Sequence, residues 1–171
     1  MQPEAWLRGP IQGVPAALMP AAHALVQARE EIEGAAAGLS PDELWTPPGR
    51  AAATAGFHLR HIAGSVDRLL SYALGRQLDE RQRAALAAEK EPGDSAADAA
   101  AFVREAQRAI DRAVAQLRAT PRESLTEPRE VGRERLPSTV LGLLFHAAEH
   151  TQRHAGQLVT TAKIVRALGA P

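Results

Sequence analysis

Apolar residues recur every three to four positions along most of this chain, and that period commits it to helices. The clearest instance is Ala99, Val103, Ala106, Ile110, Ala113, Val114 and Leu117. This spacing lays one stripe along a helix, with charged residues on the other side, as in the seam of a bundle. Alanine, the best intrinsic helix former, makes up roughly a fifth of the sequence. Gly and Pro fall in clusters between the periodic stretches and serve as punctuation.

Four long helices follow from this pattern. The first runs from about Ala16 to Ala37, with Leu18, Ala21, Ala22, Leu25, Ala28 and Ile32 as its stripe. Arg29 falls on the edge of that stripe, where its head can reach water. Gly38 and Pro41 end this helix, and 40–45 reads as a turn. The second covers about Ala51 to Leu74, with Ala55, Leu59, Ile62, Val66, Leu69 and Ala73 inward and Gly75 as its stop. Residues 76–93 are polar, with a short helix over Asp79–Ala88. The third helix has Asp94 or Ser95 as N-cap candidates and stops at Thr120-Pro121. Residues 121–137 read as a long crossover or ordered loop without a strand. The fourth helix opens at Pro137-Ser138-Thr139 and runs to about Leu168. The expected fold is an all-α four-helix bundle with a long connection between helices three and four. At 171 residues the chain suits one domain, 1–171, with residues 1–14 irregular.

Composition removes several function classes. With no cysteine there is no disulfide, thiolate metal site or cysteine nucleophile. Twenty basic residues balance twenty acidic ones, which argues against a nucleic-acid partner, because phosphate binding draws on a basic surplus. No run approaches the ~20 apolar residues of a membrane span, and the first residues lack a secretory pattern. The expectation is a cytoplasmic protein with no membrane partner. The alanine-rich first and third helices would let backbones approach closely, so a homodimer is expected as an option.

The histidines carry the chemistry. His146, His150 and His154 are spaced i, i+4, i+8 on the fourth helix. Relative to Ala147 at the centre of the apolar arc, His154 lies about 20° off, His150 about 60° and His146 about 100°. His150 and His154 therefore face the bundle interior or its rim. Neutral imidazoles there need partners, since an unpaired buried polar group costs roughly 1–3 kcal/mol. A divalent ion satisfies both, at nitrogen–metal distances of ~2.0–2.1 Å; a hydrogen-bonded core pair is the plainer alternative. On the second helix periodicity favours His58 as inward, about 40° from Ile62, against about 100° for His61. Yet His58, His61, Ser65, Arg68 and Tyr72 form a continuous polar stripe, matched on the fourth helix by His146, His150, Arg153 and Gln157. If the two stripes line one pocket, either His58 or His61 would serve. His23 lies away from the first helix's stripe and reads as solvated.

The segments Gly56-Phe57-His58-Leu59-Arg60-His61-Ile62-Ala63-Gly64-Ser65 and His150-Thr151-Gln152-Arg153-His154-Ala155-Gly156-Gln157-Leu158 resemble the DinB/YfiT-like family of metalloenzymes. The helix order resembles it over nearly the whole chain. Ala155 departs from the family pattern, where Arg is common, while the following Gly-Gln is retained. The resemblance implies a divalent metal held by His61, His150 and His154, with His58 and His146 near the pocket. Imidazole ligands suit Zn or Ni best, with Fe or Mn also accommodated. It further implies a metal-dependent hydrolase or a small-thiol-dependent transferase acting on a small-molecule substrate, with a low-molecular-weight thiol as the candidate that supplies the sulfur this chain lacks. A non-catalytic, stress-related metal-binding protein is the alternative. The family's DNA-damage name refers to induction and adds no nucleic-acid partner. No general base stands out: Glu149 and Asp67 point away from the core, and Ser65, Tyr72 and Gln157 are weak bases. Arg68 and Arg153 are candidates to hold an anionic substrate, and Gln157 to orient a ligand histidine.

Overall fold

The computed structural model describes residues 2–92 and 98–169. Its helices are α1 (Met19–Ala36), α2 (Pro41–Trp45), α3 (Ala55–Ala73), α4 (Glu80–Ala87), α5 (Ala99–Ala119) and α6 (Val140–Gly169). A two-stranded hairpin, β1 (Pro128–Val131) and β2 (Leu136–Thr139), precedes α6. The four long helices are the four expected from periodicity. Their apolar stripes meet in one core, with Leu25, Ile32, Leu59, Ile62, Val66, Ile110, Leu117, Leu144 and Leu158 sealed from solvent.

The long helices pack in the cyclic order α1–α5–α3–α6, so α1 and α3 are diagonal, as are α5 and α6. Two of the three connections therefore cross the end of the bundle, and both need length. The first holds α2, where the sequence suggested only a turn. Ser40 and Glu43 form a capping box, Pro41 occupies the first turn, and Trp45 lies over the start of α3. A Cβ on Gly56 would lie 2.7 Å from the Trp45 ring, so the side-chain-free position lets the two elements touch. The second crossing holds a 3-10 turn (Arg122–Ser124) and the hairpin, which corrects the expectation of a strandless loop. β1 and β2 pair antiparallel, with Val131 opposite Leu136, and Gly132 (φ 73°) and Arg135 (φ 51°) turn the chain between them.

Helix boundaries move for local reasons. Residues 16–18 form a 3-10 turn before α1, and α3 starts four residues later than expected because Thr54 caps it through the Phe57 N–H. Asp98 caps α5 by accepting from the Ala101 N–H at 2.7 Å. The candidates Asp94 and Ser95 lie outside the described residues. Thr139 accepts from the Gly142 N–H at 3.0 Å and starts α6 where expected. Arg29 reaches across to Asp111 of α5 at the bundle surface.

Candidate metal centre

Because α3 and α6 are neighbours, their histidines meet. One ring nitrogen from each of His61, His150 and His154 lies within 4.8 Å of the others, a grouping that could hold a metal ion. The ring centroids are 4.4 Å (His61–His154), 4.6 Å (His150–His154) and 5.0 Å (His61–His150) apart. The i, i+4 step on α6 puts His150 and His154 one above the other, and α3 brings His61 in from the side.

Each ring has a different environment. His61 Nδ1 lies 2.7 Å from a Glu89 oxygen, and its Nε2 lies 2.8 Å from His150 Nε2. His154 Nδ1 lies 3.0 Å from His58 Nδ1. His150 Nδ1 is buried without a hydrogen-bond partner among the described residues. Phe57 stacks on His61, centroids 5.2 Å apart and planes within 16°, and meets His58 and His154 edge-on. Burial first, and the neighbouring histidines after it, hold the His58 and His150 pKa values down at about 4 and that of His154 at about 3. At neutral pH these three imidazoles are uncharged and keep a lone pair for a ligand or a proton.

Both readings of α3 hold part of the truth. His58 is inward, 4% exposed, as periodicity indicated, and it abuts His154. His61 is the α3 member of the cluster, as the resemblance implied. His146 is half exposed, sits 5.3 Å from the His150 ring and faces Glu149. His23 binds the Gly9 carbonyl, far from the cluster. Ser65 donates to the Ile62 carbonyl, and Tyr72 is buried in the core. Arg153 pairs with Glu149.

Two residues, one on the polar stripe and one after α4, have roles that spacing did not show. Arg68 is buried and binds the second Glu89 oxygen at 2.6 Å, so it is not free to meet a substrate. Glu89, 5% exposed, follows α4 in a segment that reads only as polar. Neither charge pattern nor periodicity marks it out from Glu91 two residues on. Asp67 also has a partner, the Gln82 amide of α4.

A cavity of about 750 Å³ opens beside the cluster. His58, His154 and Phe57 line it together with apolar Ala53 and Ile164 and polar Arg153. Among the described residues no helix is long and apolar enough to cross a membrane.

No curated protein matches the sequence significantly. Among solved structures, YfiT from Bacillus subtilis superposes with a TM-score of 0.68 at 17% identity, over 95% of this chain and 94% of its own. YfiT is described as a probable metal-dependent hydrolase with an unusual four-helix bundle topology. At that identity the likeness establishes the shared fold. The DinB superfamily model matches residues 24–158, a span that takes in α3, the part of α6 up to Leu158 and every histidine of the cluster. This chain belongs to the DinB superfamily.

Proposed function

We propose that this protein is a metal-dependent enzyme of the hydrolase type, with a divalent ion held by His61, His150 and His154. The observation that carries the reading is the convergence of three ring nitrogens on one point with no carboxylate or thiolate among them. The residues fit the ion. His61 has its Nδ1 occupied by Glu89 and its Nε2 turned to the cluster. His150 has a buried nitrogen that lacks a partner among the described residues. Two ring nitrogens 2.8 Å apart need a proton or a cation between them. Ligand imidazoles must be neutral, which is the state that burial favours for His150 and His154.

Three imidazoles leave the charge of a divalent ion uncompensated and leave coordination positions open, as catalytic sites do. When bound, the ion would supply Lewis acidity toward a polarised carbonyl or similar group. The protein's own residues do the rest. His58 holds His154 from behind, Phe57 excludes water from one face of His61, and the adjoining cavity offers a substrate both apolar and polar lining. That cavity favours catalysis over a closed, non-catalytic metal store. Zn or Ni are the preferred ions, since imidazole donors and affinity order both favour the late metals. A small molecule is the substrate class, and a low-molecular-weight thiol is the co-substrate to test first for transfer chemistry.

The test is elemental analysis of untagged protein purified without a metal column. About one ion per chain is expected in the wild type, and loss of it in His150→Ala. An empty wild-type protein whose melting temperature ignores added Zn and Ni would overturn the reading.

A further inference from the structure

We propose that Glu89 is the positioning residue of this metal centre: it accepts the Nδ1 proton of His61 and so keeps the Nε2 lone pair of that ring aimed at His150 and His154. The inference rests on the metal-site reading and adds a residue from a third segment, outside α3 and α6.

The donor arithmetic is direct. A carboxylate that is 5% exposed must be paired. One Glu89 oxygen accepts from Arg68 Nη1 at 2.6 Å, and a carboxylate offers acceptors at both of its oxygens. The other oxygen meets His61 Nδ1 at 2.7 Å. An acceptor at that distance requires the proton on Nδ1, and Nε2 is then the lone-pair nitrogen. That nitrogen is the one lying 2.8 Å from His150 Nε2. A carboxylate behind a ligand imidazole fixes its tautomer and orientation and raises its basicity.

The chain makes specific room for this contact. A Cβ at Gly64 would lie 2.5 Å from Glu89 Oε1 and 2.7 Å from Arg68 Nη1, so α3 gives up a side chain where the carboxylate approaches. The backbone around Glu89 is pinned as well. Arg60 Nη1, one turn before Gly64, donates to the Ala88 carbonyl at 2.8 Å and to the Glu91 carbonyl. The carboxylate is thus held from both sides in sequence, and the His61 ring is held at its edge by Glu89 and on its face by Phe57.

The experiment compares wild type, Glu89→Gln and Arg68→Met in the full chain. Three quantities are read: the His61 tautomer in metal-free protein from imidazole 15N shifts, the Zn(II) affinity by competition with a chromophoric chelator, and the melting temperature. Wild type should carry its His61 proton on Nδ1. Glu89→Gln presents an amide that can donate or accept, so an Nε2-protonated population should appear and Zn(II) affinity should fall about 10- to 100-fold. Arg68→Met should lower the melting temperature with a much smaller loss of affinity, because the carboxylate still faces His61. Wild-type tautomer and affinity in Glu89→Gln would overturn the proposal. So would an equal affinity loss in both variants, which would make the Glu89–Arg68 pair a support for the fold only. A wild-type protein that binds no Zn(II) is a separate result: it removes the metal-site reading, and this inference with it.

Discussion

Two segments pack against α3 by opposite means. α5 lies along it with Ala106, Ile110, Ala113 and Leu117 buried, and its contact is mainly apolar, with Gln116 Nε2 donating to the Leu70 carbonyl at 3.2 Å beside it. The 79–91 segment, which carries α4, lies against another face and holds on by polar groups. Gln82 Nε2 donates to Asp67 Oδ2 at 2.7 Å and to Ser71 Oγ at 2.8 Å, Arg60 reaches the Ala88 carbonyl, and Arg68 and His61 share Glu89. Aliphatic contact is non-directional and scales with area. A buried polar contact depends on geometry and is costly when half made. The bundle is therefore stabilised on one side of α3 and equipped on another, and the difference can be broken experimentally.

Acid should have the largest effect, at the histidine cluster between α3 and α6 that the polar segment borders through His61. His58 and His150 are pushed down to about 4 and His154 to about 3, mainly by burial, against about 6.5 in an unfolded chain. The folded state therefore binds fewer protons than the unfolded one between these values, and stability rises with pH there. The contribution is fully present above about pH 6.5 and is lost as pH falls through the folded values near 4 and 3. His150 and His154 are partly exposed, which reduces each effect through solvent screening, but three groups titrate together. The melting temperature of metal-free protein should fall steeply from pH 6.5 to 4. A flat profile over that range would mean that the cluster is not held neutral by burial.

The second break is on the aliphatic side. Ile110 is sealed from solvent in the middle of α5. Ile110→Ala removes buried methyl groups and leaves a cavity, at a cost of about 2–5 kcal/mol. Chemical denaturation should register that loss, while Zn(II) affinity of the folded protein should stay at the wild-type value. A parallel fall in affinity would mean that α5 positions the histidines through α3 as well as supporting it.

The same contrast explains what could be read in the sequence. The four long helices were legible because burial of one face imposes a period, and Gly38 and Gly75 mark two of the stops with positive φ. His150 and His154 were legible because their partnership is local, one turn of one helix. On α3 the angle favoured His58 as the inward ring; the family resemblance pointed to His61, which is the α3 member of the three-ring grouping, and His58 lies against His154. The hairpin escaped because its residues are exposed or half exposed, so no period-2 apolar signal exists over 128–139. Glu89 escaped for a deeper reason. Its partners lie 21 and 28 residues away on another helix, and a carboxylate in a polar stretch reads like any solvated one until the tertiary fold buries it.

The smallest break falls where the polar segment begins. Gln82 is buried and serves twice: its side chain and that of Asp79 form the capping box of α4, and its amide ties α4 to Asp67 and Ser71 of α3. Gln82→Ala keeps the cap from Asp79 to the backbone N–H of residue 82 but forfeits the return bond from the Asp79 N–H and the interhelical bonds to Asp67 and Ser71, a loss of about 1–2 kcal/mol. On stability alone it should be milder than Ile110→Ala. Its effect on metal affinity should nonetheless be larger, because the segment it anchors ends in Glu89, whose oxygen must stay within hydrogen-bond reach of His61 Nδ1. Measuring denaturation and Zn(II) competition on the same two variants sets the signs against each other. If Gln82→Ala loses stability but keeps full affinity, Arg60 and Arg68 suffice to hold Glu89 in place, and the anchoring function contracts to residues 88–91.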